Sequence, residues 1–158
     1  MSKMFKGDVL NNIDGPWLFK TDHQADVYNS YDPVILSGSL MQTLDAFYDE
    51  IYKKFHAPSY AGKNFNALWD ILTDLSWLIN RSRYIVFFQN AEVILIKEQE
   101  KALQGFLEIL EAVGREWSQP VQQSEWWDRP AMPFHSILQV KALSASCFPR
   151  AVPVIGAV

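Results

Sequence analysis

Hydrophobic positions along the chain follow two rhythms. Continuous apolar runs at residues 33–37, 84–88 and 134–140, bounded by proline, glycine or polar clusters, predict short buried strands. The run 84–88 (Tyr-Ile-Val-Phe-Phe) has no polar alternation, as expected of a strand covered on both faces. Between these runs the spacing changes to three and four. Leu40, Leu44, Phe47, Ile51 and Phe55 predict an amphipathic helix, which Pro58 and Gly62 end. Asp49–Lys53 and Glu50–Lys54 would be favourably ordered pairs on that helix. A second helix is expected to start at Asn64 as N-cap, with Phe65, Leu68, Leu72 and Leu75 on its core face. A third is expected over 97–117, with Ala102, Leu103, Phe106, Leu110 and Val113 inward and Gly105 as an interruption.

The order β-α-α-β-α-β, with helices as crossovers, predicts an α/β fold: a small three-stranded parallel sheet packed by helices. The domain is expected at residues 33–140. Residues 1–32 read as an N-terminal extension with one short strand at 17–19, and residues 141–158 as a loose C-terminal tail. Residues 118–133 carry Pro120, Pro130, Pro133 and the pair Trp126-Trp127, and read as a loop. At least one of the two tryptophans is expected to pack down; the alternative is that they extend a binding surface.

Composition narrows the function classes. Of 158 residues 49% are hydrophobic, enough for a real core, which excludes wholesale disorder. The net charge of -4 disfavours direct binding to nucleic acid, which needs a basic surface, and leaves a basic protein as the better partner. The lone cysteine, Cys147, permits no intramolecular disulfide and reads as inert. No apolar run reaches the roughly 20 residues of a membrane span, so the cytoplasm is the expected location. Nucleophile-elbow, P-loop, zinc-protease and dinucleotide-binding motifs are missing, and His23, His56 and His135 are scattered. An enzyme is therefore the third reading, and no cofactor or metal is implied.

The second helix carries the one suggestive constellation. At 100° per residue, Asn66, Asp70, Thr73 and Asp74 fall opposite the core face, with Trp69 on the border. The loop 60–64 leads straight into this polar stripe. Periodicity alone favours the ordinary reading: a packed Tyr60, a Gly62 that permits the turn and a solvated Asp70.

The segment Tyr60-x-Gly62-x-Asn64-x-x-Ala67-Leu68-Trp69-Asp70, continued by Leu72-Thr73-Asp74-Leu75, resembles the corresponding stretch of barstar-like proteins, intracellular inhibitors of small bacterial ribonucleases. A looser resemblance spans residues 34–140. The resemblance implies that the loop and the second helix plug a nuclease active site. Asp70 would enter it, and Tyr60, Gly62, Asn64, Asn66, Trp69 and Asp74 would complete the face. Glu100 matches a further acidic contact, with Glu98 as rival. The implied partner is a basic ribonuclease or nuclease toxin, with no direct nucleic-acid or membrane contact; the oligomeric state stays open. The chain departs from the family in having Asn66 in place of an aspartate and Lys63 in place of a glutamate, and in adding its N-terminal segment and the Trp126-Trp127 loop. The alternative is a protein-interaction module on the same fold with no nuclease target.

Overall fold

The computed structural model describes residues 3–144, 148 and 152–158; Cys147 lies outside them. The described residues form strands Lys3–Met4 (β1), Leu18–Thr21 (β2), Val34–Ser37 (β3), Tyr84–Gln89 (β4), Phe134–Gln139 (β5) and Val154–Ile155 (β6). Their α-helices are Lys6–Leu10 (α1), Leu44–Lys54 (α2), Phe65–Asp74 (α3) and Glu100–Trp117 (α4). The three apolar runs and the three periodic segments are all present, within a few residues of the expected bounds.

The expected sheet of three strands is corrected to six. All neighbours are parallel, in the order β1-β6-β2-β5-β4-β3. The additional strands come from the segments set apart as extension and tail. β2 lies inside the sheet, with Leu18 opposite Ser136 and Thr21 opposite Gln139, and is buried along its whole length, Lys20 included. The end of the chain is not loose either: Val152, Val154 and Ile155 are buried, and Lys20 pairs with Val154.

The sheet is covered on both faces, which explains the unbroken apolar run of β4. Val86, Phe88, Phe134 and Leu138 meet α2, α3 and α4 through Phe47, Ile51, Leu68, Leu72, Phe106 and Leu110. Ile85, Phe87, Ile137 and Phe19 face the other way. There Val9 and Leu10 of α1, with Ala25 and Tyr28 of a 3-10 segment, cover them. Each large apolar side chain buried in this way contributes about 1.5–3 kcal/mol. Tyr28 ties this cover to the chain's end, its hydroxyl donating to the Gly156 carbonyl at 3.1 Å. His135 of β5 is fully buried on the same side, with Nε2 2.7 Å from the Asn12 carbonyl oxygen.

Two glycines set how closely α4 docks. A Cβ on Gly114 would collide with the Trp17 side chain, which leads into β2. A Cβ on Gly105, the residue that interrupts the helical pattern, would stand 2.7 Å from the Phe65 ring of α3. The expected pairs on α2 do not form. Glu50 is buried and its Oε2 accepts from the Ser37 backbone N–H at the end of β3 (2.8 Å), while Asp49 pairs with Lys63 instead.

Candidate functional site

α3 is a short rod fixed at both ends. Asn64 is its N-cap, the Oδ1 accepting from the Ala67 N–H at 2.8 Å, which satisfies one of the donors left open in a first turn. Its end is closed by Leu75 in the left-handed conformation (φ 50°), with the Leu75 N–H returning to Ile71. The Trp117 indole of α4 donates to the Leu72 carbonyl at 2.8 Å. Leu68, Ile71 and Leu72 face the core, and Asn66, Asp70 and Asp74 face solvent, as the periodicity requires. Trp69 is half-buried against the core, and Thr73 donates its hydroxyl to the Trp69 carbonyl at 2.7 Å.

The loop before α3 is pinned from below. The Tyr52 hydroxyl of α2 donates to the Gly62 carbonyl at 2.7 Å, and burial pushes the Tyr52 pKa up, keeping the proton on the donor. Gly62 does not adopt a positive φ. A Cβ there would stand 3.1 Å from Asn64 Nδ2, so the residue leaves room for the capping amide. Tyr60 stands out of the loop, 86% exposed. The charge of Lys63 is absorbed locally: its ammonium lies 2.7 Å from Asp45 and 2.8 Å from Asp49 on α2, and these carboxylates raise its pKa.

Asp70 and Asp74 line an open cleft of about 790 Å³ at the C-terminal end of α3. Tyr60, Gly62 and Asn64 precede the helix, Asn66 lies in its first turn and Trp69 at its middle beside Asp70; none of these five lines it. At the N-terminal end a groove of about 660 Å³ runs between Lys63, Asn64 and Phe65 and the first turns of α4 at Lys101 and Ala102. Glu100 is the exposed first residue of α4. Glu98 is engaged structurally, its Oε2 accepting from the Leu44 N–H at the start of α2 (2.9 Å).

The sequence reading missed the far wall of the cleft: Glu116 of α4 and residues 121–132, with Trp126 and Trp127. Neither tryptophan is packed into the core as expected; they are 83% and 46% exposed. The segment is a folded hairpin, closed by the antiparallel bridge of Val121 and Arg129 (2.9 and 3.1 Å). The Asp128 carboxylate accepts from the Gln123 and Ser124 N–H groups at its tip. Arg129 fastens the hairpin to α3, donating to the Thr73 carbonyl at 2.6 Å with its guanidinium 3.4 Å from the Trp117 ring centre. Burial lowers the Arg129 pKa, and Glu116, Tyr84 and Asp74 oppose that shift. The paired Pro and Gln residues signalled a loop, and nothing local signalled its partner.

Fold and face together define an α/β protein with a parallel sheet, one of whose helices turns a carboxylate stripe to solvent. A family model described as Barstar (barnase inhibitor) matches residues 31–135, and the chain belongs to that family. β1, β2 and β6 lie outside the matched residues. No curated protein matches the chain. Among the described residues no helix is long and apolar enough to cross a membrane.

Proposed function

We propose that this protein inhibits a small basic ribonuclease by seating the Asp70 carboxylate where the enzyme holds the phosphate of RNA. The observation that carries this reading is the exposure of Asp70 on a helix capped at both ends, within a stretch that follows the family motif. A ribonuclease gathers cationic side chains around its substrate phosphate. A carboxylate on a rigid rod accepts charge-assisted hydrogen bonds from those groups with little ordering cost, and an acidic face speeds encounter.

The remaining candidates divide by what else they do. Tyr60 is free to contact a partner through its whole ring. Asn64 contacts it while its Oδ1 stays on Ala67, so its available group is the amide NH₂. Gly62, Asn66, Trp69 and Asp74 complete the face. The engagement of Glu98 with α2 favours Glu100 as the acidic contact on α4. The two carboxylates around Lys63 offset a charge that would otherwise repel a cationic active site. Such an inhibitor works inside the producing cell, against its own secreted ribonuclease or toxin domain, and needs no catalysis or cofactor. The neutral Asn66 at an acidic position of the family favours a second reading, an interaction module without a nuclease target.

Affinity capture with the wild-type chain and Asp70→Ala side by side separates the two. The inhibitor reading expects a small basic ribonuclease retained by the wild type and lost by the variant, its RNA cleavage suppressed on adding wild-type chain. Retention of a non-nuclease instead, or loss of folding in the variant by circular dichroism, would sink it.

A further inference from the structure

The cleft beside Asp70 is lined by carboxylates and by indoles. Asp70, Asp74 and Glu116 line it, and among the described residues none of the three forms an ion pair. Its own cations are engaged elsewhere. Arg81 donates to the Asp32 carbonyl and lies 3.7 Å from the Asp32 carboxylate; Arg129 attracts Glu116 and Asp74 but is stacked on Trp117 and bonded to Thr73. Asp128 is occupied by the hairpin's own N–H groups. Four carboxylates, Asp70, Asp74, Glu116 and Asp128, thus stand against two guanidiniums, Arg81 and Arg129, and the cleft keeps a net negative charge.

In the same cleft stand Trp126 and Trp127, edge to face with ring centres 5.5 Å apart. Two largely exposed indoles on a disordered loop would mean little. Here the bridge, the Asp128 turn and the Trp127 indole N–H on Gln123 Oε1 (3.0 Å) hold the hairpin with its rings outward. A held aromatic face sharing a cleft with carboxylates takes a cationic side chain: a guanidinium or ammonium lies over the ring and donates to the acid. Rigid tryptophans also supply contact area at low entropic cost, which is why they anchor interfaces.

We infer that this cleft receives an arginine or lysine side chain from the surface of the same ribonuclease, outside its catalytic centre, and that the Trp126-Trp127 hairpin selects which ribonuclease is bound. The inference rests on the inhibitor reading, because the shared Asp70 places the cleft next to the site that reading assigns.

The test uses the full chain and, as probe, the ribonuclease that the wild type retains. In Trp126→Ala/Trp127→Ala the fold and thermal midpoint are expected to stay unchanged, while the affinity falls at least tenfold, through faster dissociation. Trp126→Phe, which keeps a ring, should lose less. Glu116→Gln should weaken binding several-fold and flatten its dependence on salt. Wild-type affinity in the double tryptophan variant, with Asp70→Ala still defective, would overturn the hairpin's role and leave the inhibitor reading standing. Wild-type affinity in Glu116→Gln would overturn the cationic guest. If the wild type retains no ribonuclease, the inhibitor reading falls and this inference with it.

Discussion

The two ends of α3 are built from similar residues and arranged to opposite effect. At the N-terminal end the groups of the loop are tied down: Lys63 sits between Asp45 and Asp49, Asn64 caps the first turn, Tyr52 holds Gly62, and Glu98 holds the start of α2. At the C-terminal end the acids are left open. Asp74, in the last turn, sits near the negative pole of the helix dipole, where a carboxylate is mildly unfavourable, and the cation Arg129 attracts it without forming an ion pair, being turned onto Trp117 and the Thr73 carbonyl. The first arrangement fixes a loop. The second stores negative charge beside a solvent-facing cleft, a local conflict of the sort that stability alone does not select.

That contrast can be broken by mutation. The largest effect is expected for Asp70→Ala: a loss of partner affinity on the order of 2–5 kcal/mol, since its counterpart cation would be left buried and unpaired. Its unfolding free energy in urea should move by less than about 0.5 kcal/mol. A large stability loss would make Asp70 a structural residue. Next comes Arg129→Met, which removes a charge-assisted hydrogen bond to α3 and the stacking on Trp117. A destabilisation of about 2 kcal/mol by urea titration is expected, with the hairpin amides losing protection from hydrogen exchange. Unchanged protection would mean the hairpin stands without that anchor.

Asn64→Ala probes the other end. Losing an N-cap should cost about 1 kcal/mol, and Asn64→Asp should restore it. If Asp fails to rescue stability, the cap is not what Asn64 contributes. The smallest effect is reserved for Lys63→Ala. Exposed ion pairs are worth little, so the urea midpoint should barely move. Association, measured by stopped flow at low salt, should become faster as Asp45 and Asp49 are uncovered. Slower association would show that Lys63 itself touches the partner.

What the sequence made legible was whatever depends on neighbours along the chain. Helical periodicity located α2, α3 and α4; apolar runs located β3, β4 and β5; the Asn64 cap followed from one residue type before one apolar stripe. Parallel pairing across more than a hundred residues leaves no such trace. The short strand expected at 17–19 overlaps β2, but its continuation through Lys20 and Thr21 and its place between β5 and β6 have no local sign. β1 and β6 are two residues each. The same limit misassigned Asp49 and Glu50: spacing along α2 offered Lys53 and Lys54, and tertiary partners won. In the site, Asp70 was visible because its motif is continuous. Glu116 and the hairpin were not, because they reach α3 only through contacts such as Arg129 to Thr73.

The buried imidazole of His135 gives the N-terminal cover an acid-sensitive latch. Burial lowers its pKa from 6.5, against the pull of the Asn12 and Pro16 carbonyls, so the native protein holds the ring neutral. The unfolded chain takes up the proton first as acidity rises. Native stability is therefore full above about pH 6.5 and declines below it, until the folded form also protonates. His135→Gln should flatten that decline in thermal melts across this range; an unchanged pH profile would assign the acid sensitivity to other groups. Should the decline begin where Asn12 meets β5, mild acid would peel α1 and its neighbours from the sheet before the helices on the opposite side let go.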